Sequence, residues 1–189
     1  MELMKEKILS EGIVLPGGIL KVGSFLNHMI DTVFMEEAGR EIARLFKDDE
    51  PTKILTIEAS GIGIAVAAGM IMRIPVLFAK KTGSSNVSGG VYSAKVHSFT
   101  HGTENTVIVS REYLDETDKI LIVDDFLANG CALSGLIKIV EEAGATLIGC
   151  CAAIEKGFQH GGDMLREKGY RVESLAIIDE MDDGRIKFR

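Results

Sequence analysis

At 189 residues, with 46% hydrophobic and 26% charged residues, the chain has the length of one domain and enough apolar material for a substantial core. A formal net charge of −7 argues against a duplex-DNA surface as its main function, because such surfaces are usually basic. Its three cysteines, Cys131, Cys150 and Cys151, make neither a disulfide framework nor a C-x-x-C pair, and no run approaches ~20 consecutive apolar residues, so a reducing cytoplasm and no membrane span are expected.

The 21 Gly and 3 Pro suit an α/β protein with several functional turns. Met1 to Ser10 mixes charged and apolar residues, unlike a secretion signal. Leu3, Met4, Lys7, Ile8 and Glu11 give a short amphipathic helix stopped by Gly12. Ile13 to Leu15, the Pro16-Gly17-Gly18 turn and Ile19 to Val22 read as two short strands outside the main sheet. Asp31 suits the N-cap of a helix from Thr32 to about Lys47, with Phe34, Ala38, Ile42, Leu45 and Phe46 on one face. Lys53 to Ile57 reads as a strand, and Glu58-Ala59-Ser60-Gly61-Ile62-Gly63 opens a helix running to about Met72. This is an anion-site pattern, but Val66 stands where a dinucleotide fingerprint needs its third glycine. Pro75 to Ala79 is a further strand, with Lys80 and Lys81 at its end. Thr82 to Gly102 is long and polar, as lids often are, and Val91 to Phe99 could pair with Thr106 to Ser110 as a two-stranded ribbon. Tyr92, Lys95, His97 and His101 lack a helical zinc spacing and read as lid surface.

The most informative stretch runs from Lys119 to Ala132. The apolar run Ile120 to Val123 suits a central strand buried on both faces. It ends on Asp124 and Asp125, passes a loop of small residues, and resumes with helical period from Leu133. A loop after such a strand opens at the sheet's carboxyl edge, and free N–H groups at the helix start favour an anion. Two carboxylates repel a phosphate unless something lies between them. A sugar whose hydroxyls donate to the acids satisfies that condition, so a ribose 5-phosphate fits. Leu133, Leu136, Ile137 and Val140 form the packed face of the following helix, which Gly144 caps. Thr146 to Ile154 is the next strand, with Glu155-Lys156-Gly157-Phe158 at its carboxyl end. Gln159 to Lys168 reads as a short helix, Val172 to Ile178 as a last strand, and Asp179 to Arg189 as a polar tail that hairpins back toward the amino-terminal unit.

Asp124-Asp125-Phe126-Leu127-Ala128-Asn129-Gly130 resembles the phosphoribosyl pyrophosphate (PRPP) motif of the type I phosphoribosyltransferases, in the form of the xanthine-specific branch. It departs from the wider pattern, in which threonine commonly stands at the positions of Asn129 and Ala132. Backbone N–H groups and the Asn129 amide must therefore carry more of the phosphate. The resemblance covers essentially the whole chain. It implies an α/β, type I phosphoribosyltransferase fold with a central, mostly parallel sheet flanked by helices. It also implies one domain over residues 1–189, with a hood at about 1–30 plus the carboxyl-terminal tail, and a flexible lid at about 82–102.

The implied reaction transfers the 5-phosphoribosyl group of PRPP to xanthine, giving xanthosine 5′-monophosphate and pyrophosphate in purine salvage. Asp124 and Asp125 would hold the ribose hydroxyls. Ala128, Asn129, Gly130, Cys131 and Ala132 would cradle the 5-phosphate, and Glu58, Ala59, Ser60, Gly61 and Lys81 would address the pyrophosphate. Leu20, Asn27 and Lys156 match base-contacting positions. A lysine offers only donors, which suits the oxo groups of xanthine better than an aminopurine. Mg2+ would be held mainly through PRPP and water, with no protein metal cage, and Cys131 needs no role as a nucleophile. The resemblance further implies a cytoplasmic homodimer that binds no nucleic acid or membrane. A hypoxanthine or guanine phosphoribosyltransferase and a non-catalytic PRPP-sensing purine regulator share the same core. The regulator would need a DNA-binding domain before residue 20 and a basic surface, and the sequence carries neither.

Overall fold

The computed structural model describes residues 1–81, 90–97, 104–182 and 184–189. Helix α1 (Glu2–Glu11) leads into strands β1 (Ile13–Leu15) and β2 (Ile19–Lys21), which pair with each other as a separate small sheet. Met4 and Ile8 are buried along α1, whereas Leu3 of the expected apolar face is exposed. A π-helical turn over Gly23–Asn27 buries Phe25 and Leu26. Helix α2 (Thr32–Leu45) starts where expected, because the Asp31 carboxylate accepts the Phe34 N–H at 3.1 Å.

Eight described strands form the main sheet, in the order β10-β9-β8-β7-β3-β4-β6-β5. They are β3 (Lys53–Ile57), β4 (Val76–Lys81), β5 (Val91–His97), β6 (Glu104–Ser110), β7 (Lys119–Leu127), β8 (Thr146–Lys156), β9 (Val172–Asp182) and β10 (Arg185–Phe188). β4, β3, β7, β8 and β9 run parallel, and β10, β5 and β6 pair antiparallel. Helices α3 (Gly61–Met72), α4 (Cys131–Glu142) and α5 (Gly161–Glu167) complete the chain. One apolar core joins α1, α2 and α3 to the sheet through Ile42, Ile64, Leu121 and Val123. A second gathers Ile120, Ile122, Leu136 and Val140 with the β5–β6 ribbon. No helix of the described residues is long and apolar enough to cross a membrane.

Several boundaries differ from the expectations. β4 extends through Lys80 and Lys81, because these residues pair with Ile108 and Val107 of β6. β7 does not stop at its carboxylates, because β8 continues alongside it, with Asp124 opposite Ala152 and Leu127 opposite Glu155. α4 begins at Cys131 rather than Leu133. The tail is a true strand pair, with Ile186 opposite Met181, and Lys5 Nζ of α1 donates to the Arg189 carbonyl at 3.2 Å. Most of the expected lid, including His101, lies outside the described residues. The ribbon Val91–His97 with Glu104–Ser110 is formed. Tyr92 is not surface: it packs in the second core beneath the Arg111 guanidinium, 4.4 Å from its ring centre.

The topology also creates the crevice. From β3 the sheet grows outward to β4, then reverses to add β7, β8 and β9 on the other side. β3 and β7 pair only as far as Leu55 and Ile122. Beyond that point their carboxyl ends part, which is where open α/β sheets bind ligands.

Candidate active site

Asp124 and Asp125 lie on β7 beyond its pairing with β3, and their contacts separate them. Asp124 is only 4% exposed. Its Oδ1 accepts the Asp125 N–H at 3.0 Å and faces the start of α3. A methyl group on Gly61 would lie 2.5 Å from that oxygen and would also strike Thr56 Oγ1, a buried hydroxyl with no hydrogen-bond partner. Only glycine lets the first turn of α3 approach the acid so closely. Burial, reinforced by the neighbouring Asp125 charge, pushes the Asp124 carboxyl well above the ordinary carboxylate range.

Folded Asp124 therefore holds its proton to higher pH than unfolded Asp124 does. Between the ordinary carboxylate range and the raised folded value the folded state binds more protons, so this residue's contribution to stability falls as pH rises. Asp124→Asn removes that titration and keeps an oxygen for the Asp125 N–H. The ligand-free variant is expected to exceed its parent in stability at neutral pH. The gain should vanish as pH drops into the ordinary carboxylate range. Urea unfolding across pH checks this, and parallel curves for parent and variant would refute it.

Asp125 instead lines a cavity of about 270 Å³ together with Glu58, Lys81 and the loop after β7. That volume is close to the lower end of small-molecule pockets, ~300 Å³. Asp125 Oδ2 accepts from Asn27 Nδ2 at 3.0 Å, which ties the turn before α2 to the acid.

In the loop, Gly130 takes a φ of +82°, which glycine adopts without strain. Asn129 Oδ1 accepts the Cys131 N–H at 3.1 Å, so the Asn129 amide helps to shape the turn. Ala128, Asn129, Gly130, Cys131 and Ala132 all line the cavity at the start of α4, where free N–H groups and the helix dipole favour an anion. Across it, Glu58 accepts the Lys81 backbone N–H at 2.7 Å and binds the end of β4 to the loop after β3. The Glu58–Ala59 peptide is cis. Ala59 and Ser60 are exposed on this loop, and Gly61 is buried at its end. Lys81 is exposed, and its charge opposes the rise at Asp124.

The end of β8 brings a third group to this edge. Lys156 is half-buried; its Nζ donates to the Gly18 carbonyl of the β1–β2 turn at 2.9 Å and lies 5.6 Å from the Phe126 ring centre. Desolvation lowers its pKa from the ordinary lysine value. Leu20 is placed differently: it is buried in the first core, and a methyl on Gly12 would stand 3.2 Å from its Cδ1. Sequence reasoning passed over Thr56, Phe126 and Gly18 as site neighbours. For Thr56, a hydroxyl inside an otherwise apolar strand next to a glycine-opened helix was an available signal.

The sequence profile of the phosphoribosyl transferase domain family matches residues 31–181. The chain is 52% identical over 191 aligned residues to the xanthine phosphoribosyltransferase of Lachnoclostridium phytofermentans, covering 100% of this chain and 98% of that one. It is 54% identical over 188 residues to the xanthine phosphoribosyltransferase of Ruminiclostridium cellulolyticum, covering 100% and 99%. The adenine phosphoribosyltransferase of Rhodothermus marinus superposes with a TM-score of 0.76 at 19% identity, over 94% of this chain and 100% of that one. At that identity the likeness concerns the fold.

Proposed function

Because this chain belongs to the phosphoribosyl transferase domain family, we propose that it transfers the 5-phosphoribosyl group of PRPP to xanthine, releasing pyrophosphate and forming xanthosine 5′-monophosphate in purine salvage. The observation that carries the choice of base is Lys156. A half-buried ammonium at the crevice edge, already committed to one carbonyl, presents donors only. An oxo group of xanthine accepts from it, whereas the exocyclic amine of adenine would bring a second donor. Relatives at this identity bear the xanthine name over their full length.

A ring nitrogen of the base forms a bond to the anomeric carbon as the bond to pyrophosphate breaks. Positive charge develops on the sugar between them. Asp125 accepts hydrogen bonds from the ribose hydroxyls and places its charge near that carbon, while Asp124 fixes the local backbone from beneath. The loop from Ala128 to Ala132 holds the 5-phosphate. Glu58 to Gly61 and Lys81 address the pyrophosphate. Asn27, bonded to Asp125 in the free protein, stands where the sugar and base sites meet. Leu20 backs the hood from its core. Positioning and exclusion of water supply most of the rate.

Asp125 and Glu58 offer hard oxygens, of the kind that Mg2+ takes one or two of beside substrate phosphates. Bound with PRPP, the ion would neutralise charge on the departing pyrophosphate. Residues 1–189 form a single domain in this reading, with the hood at about 1–30 and the tail beside it. Residues 82–102 serve as the lid, and the enzyme works in the cytoplasm.

A homodimer completes the proposal. Ile30, just before α2, and Val66 and Met70 of α3 are exposed and line one groove, with Met70 at 74% exposure. This apolar groove runs to Ala59 at the pyrophosphate loop. Such a face on a chain of this size is an association surface, and a second copy presenting the same face would cover it isologously. Met70→Asp is expected to convert a dimer into monomers in sedimentation equilibrium. A parent that is monomeric at every concentration would sink the dimer.

Pyrophosphate release with PRPP and Mg2+, offering xanthine, hypoxanthine, guanine and adenine separately, tests the whole reading. Turnover led by xanthine supports it. Turnover led by another base overturns the base assignment, and PRPP binding without turnover on any base overturns the reaction.

A further inference from the structure

Helix α5 has no role in the mechanism above, yet its first residue is built into the phosphate loop. The Gly161 N–H donates to the Ala128 carbonyl at 3.1 Å. A methyl group on Gly161 would strike the Ala128 carbonyl, the Asn129 carbonyl carbon and the Gly130 nitrogen. Seen from the loop, a methyl on Gly130 would lie 3.3 Å from Gly161 Cα and 2.9 Å from Met164 Cε. The two backbones are in direct contact, with no room for one added carbon.

The position of α5 is in turn fixed from below. Glu155, fully buried, is gripped by both terminal nitrogens of Arg166, at 2.8 and 2.7 Å, and by Ser174 Oγ at 2.5 Å. Arg166 Nε donates to the Val172 carbonyl at 3.2 Å. A methyl on Gly162 would collide with the same Glu155–Arg166 pair. Two-toothed guanidinium–carboxylate pairing sets orientation as well as distance. β8 therefore ends in two consecutive residues with different tasks: Glu155 anchors α5, and Lys156 reaches the hood.

We infer that Gly161 is a positioning residue for the 5-phosphate of PRPP, holding the loop from Ala128 to Gly130 in its binding shape, with the Glu155–Arg166 pair as the anchor that keeps Gly161 in place. The inference rests on the phosphoribosyl transfer reading and adds to it a residue that touches no substrate. It separates the two anionic ends of PRPP, because the nearest neighbours of Gly161 belong to the loop after β7, while the loop after β3 is the one assigned to the pyrophosphate.

The test measures ribose 5-phosphate and pyrophosphate binding separately, on the full chain, by calorimetry. Gly161→Ala is expected to weaken ribose 5-phosphate about tenfold or more through displacement of the loop. Pyrophosphate affinity and the KM for xanthine should stay within about twofold of the parent. Glu167→Ala, on an exposed position of the same helix, serves as the comparison and should change neither. Arg166→Lys keeps the charge but loses the two-toothed grip; it should produce the same split on a smaller scale, and it decides the matter if Gly161→Ala does not fold. Unchanged ribose 5-phosphate binding in a folded variant overturns the inference, as does equal weakening of both ligands. A parent that binds neither ligand overturns the phosphoribosyl transfer reading itself, which keeps the two failures distinct.

Discussion

Asp125→Asn is expected to lower kcat/KM for PRPP by about 10²–10³-fold, with little change in the fold. The residue lines the cavity, and its Oδ2 already holds a polar partner, the Asn27 amide, at 3.0 Å. A ribose hydroxyl would meet an oxygen there that accepts, and a negative charge close to the carbon where positive charge grows. The Asn side chain keeps the shape but loses that charge and half of the accepting capacity. The loss falls mainly in the transition state, so kcat should drop more than PRPP binding weakens. Asp124→Asn offers a direct contrast. Its carboxyl is buried beneath α3, where burial penalises the charged form, so an uncharged isostere should cost less there than at Asp125. Steady-state kinetics and calorimetric PRPP binding on both variants check the division. If Asp125→Asn stays within about tenfold of the parent, the assignment of the ribose carboxylate to Asp125 fails.

The division of labour between the two acids shows where sequence reading stops. The strand, the acid pair, the small-residue loop and the next helix form a local pattern, because burial on both faces demands an unbroken apolar run and the loop must turn tightly beside a phosphate. The Asp31 cap was legible for the same reason, since donor and acceptor lie three residues apart. The Asn27–Asp125 bond spans 98 residues and the Lys156–Gly18 bond 138. No local spacing encodes either. Resemblance supplied Asn27 and Lys156 as candidates but gave neither its partner. Tyr92 is core rather than lid surface, and the signal is local: Tyr92, Ala94 and Val96 alternate as a half-buried strand should. Glu155 and Arg166 lie eleven residues apart with no periodicity that links them. Only the pairing of β8 with β7 and β9, and the close approach allowed by Gly161 and Gly162, turns them into a clamp.

Lys156→Met is the second large effect, expected to reduce kcat/KM for xanthine by about 10²-fold while PRPP affinity changes little. Methionine keeps most of the apolar stem against Phe126 and removes the donor. The Gly18 carbonyl also loses its partner, so part of the loss reflects a looser hood as well as an unpaired oxo group. pH separates these contributions. Burial lowers the pKa of Lys156, so its ammonium gives up its proton below the ordinary lysine range, and the donor that reads the base fades as pH rises through that lowered value. In the parent, the KM for xanthine should therefore climb on the alkaline side before surface lysines titrate. In Lys156→Met that limb should be missing, leaving a uniformly raised KM. A looser hood alone would raise KM without flattening its pH dependence. An alkaline limb that persists unchanged in the variant would assign the titration to another group and remove Lys156 from base recognition.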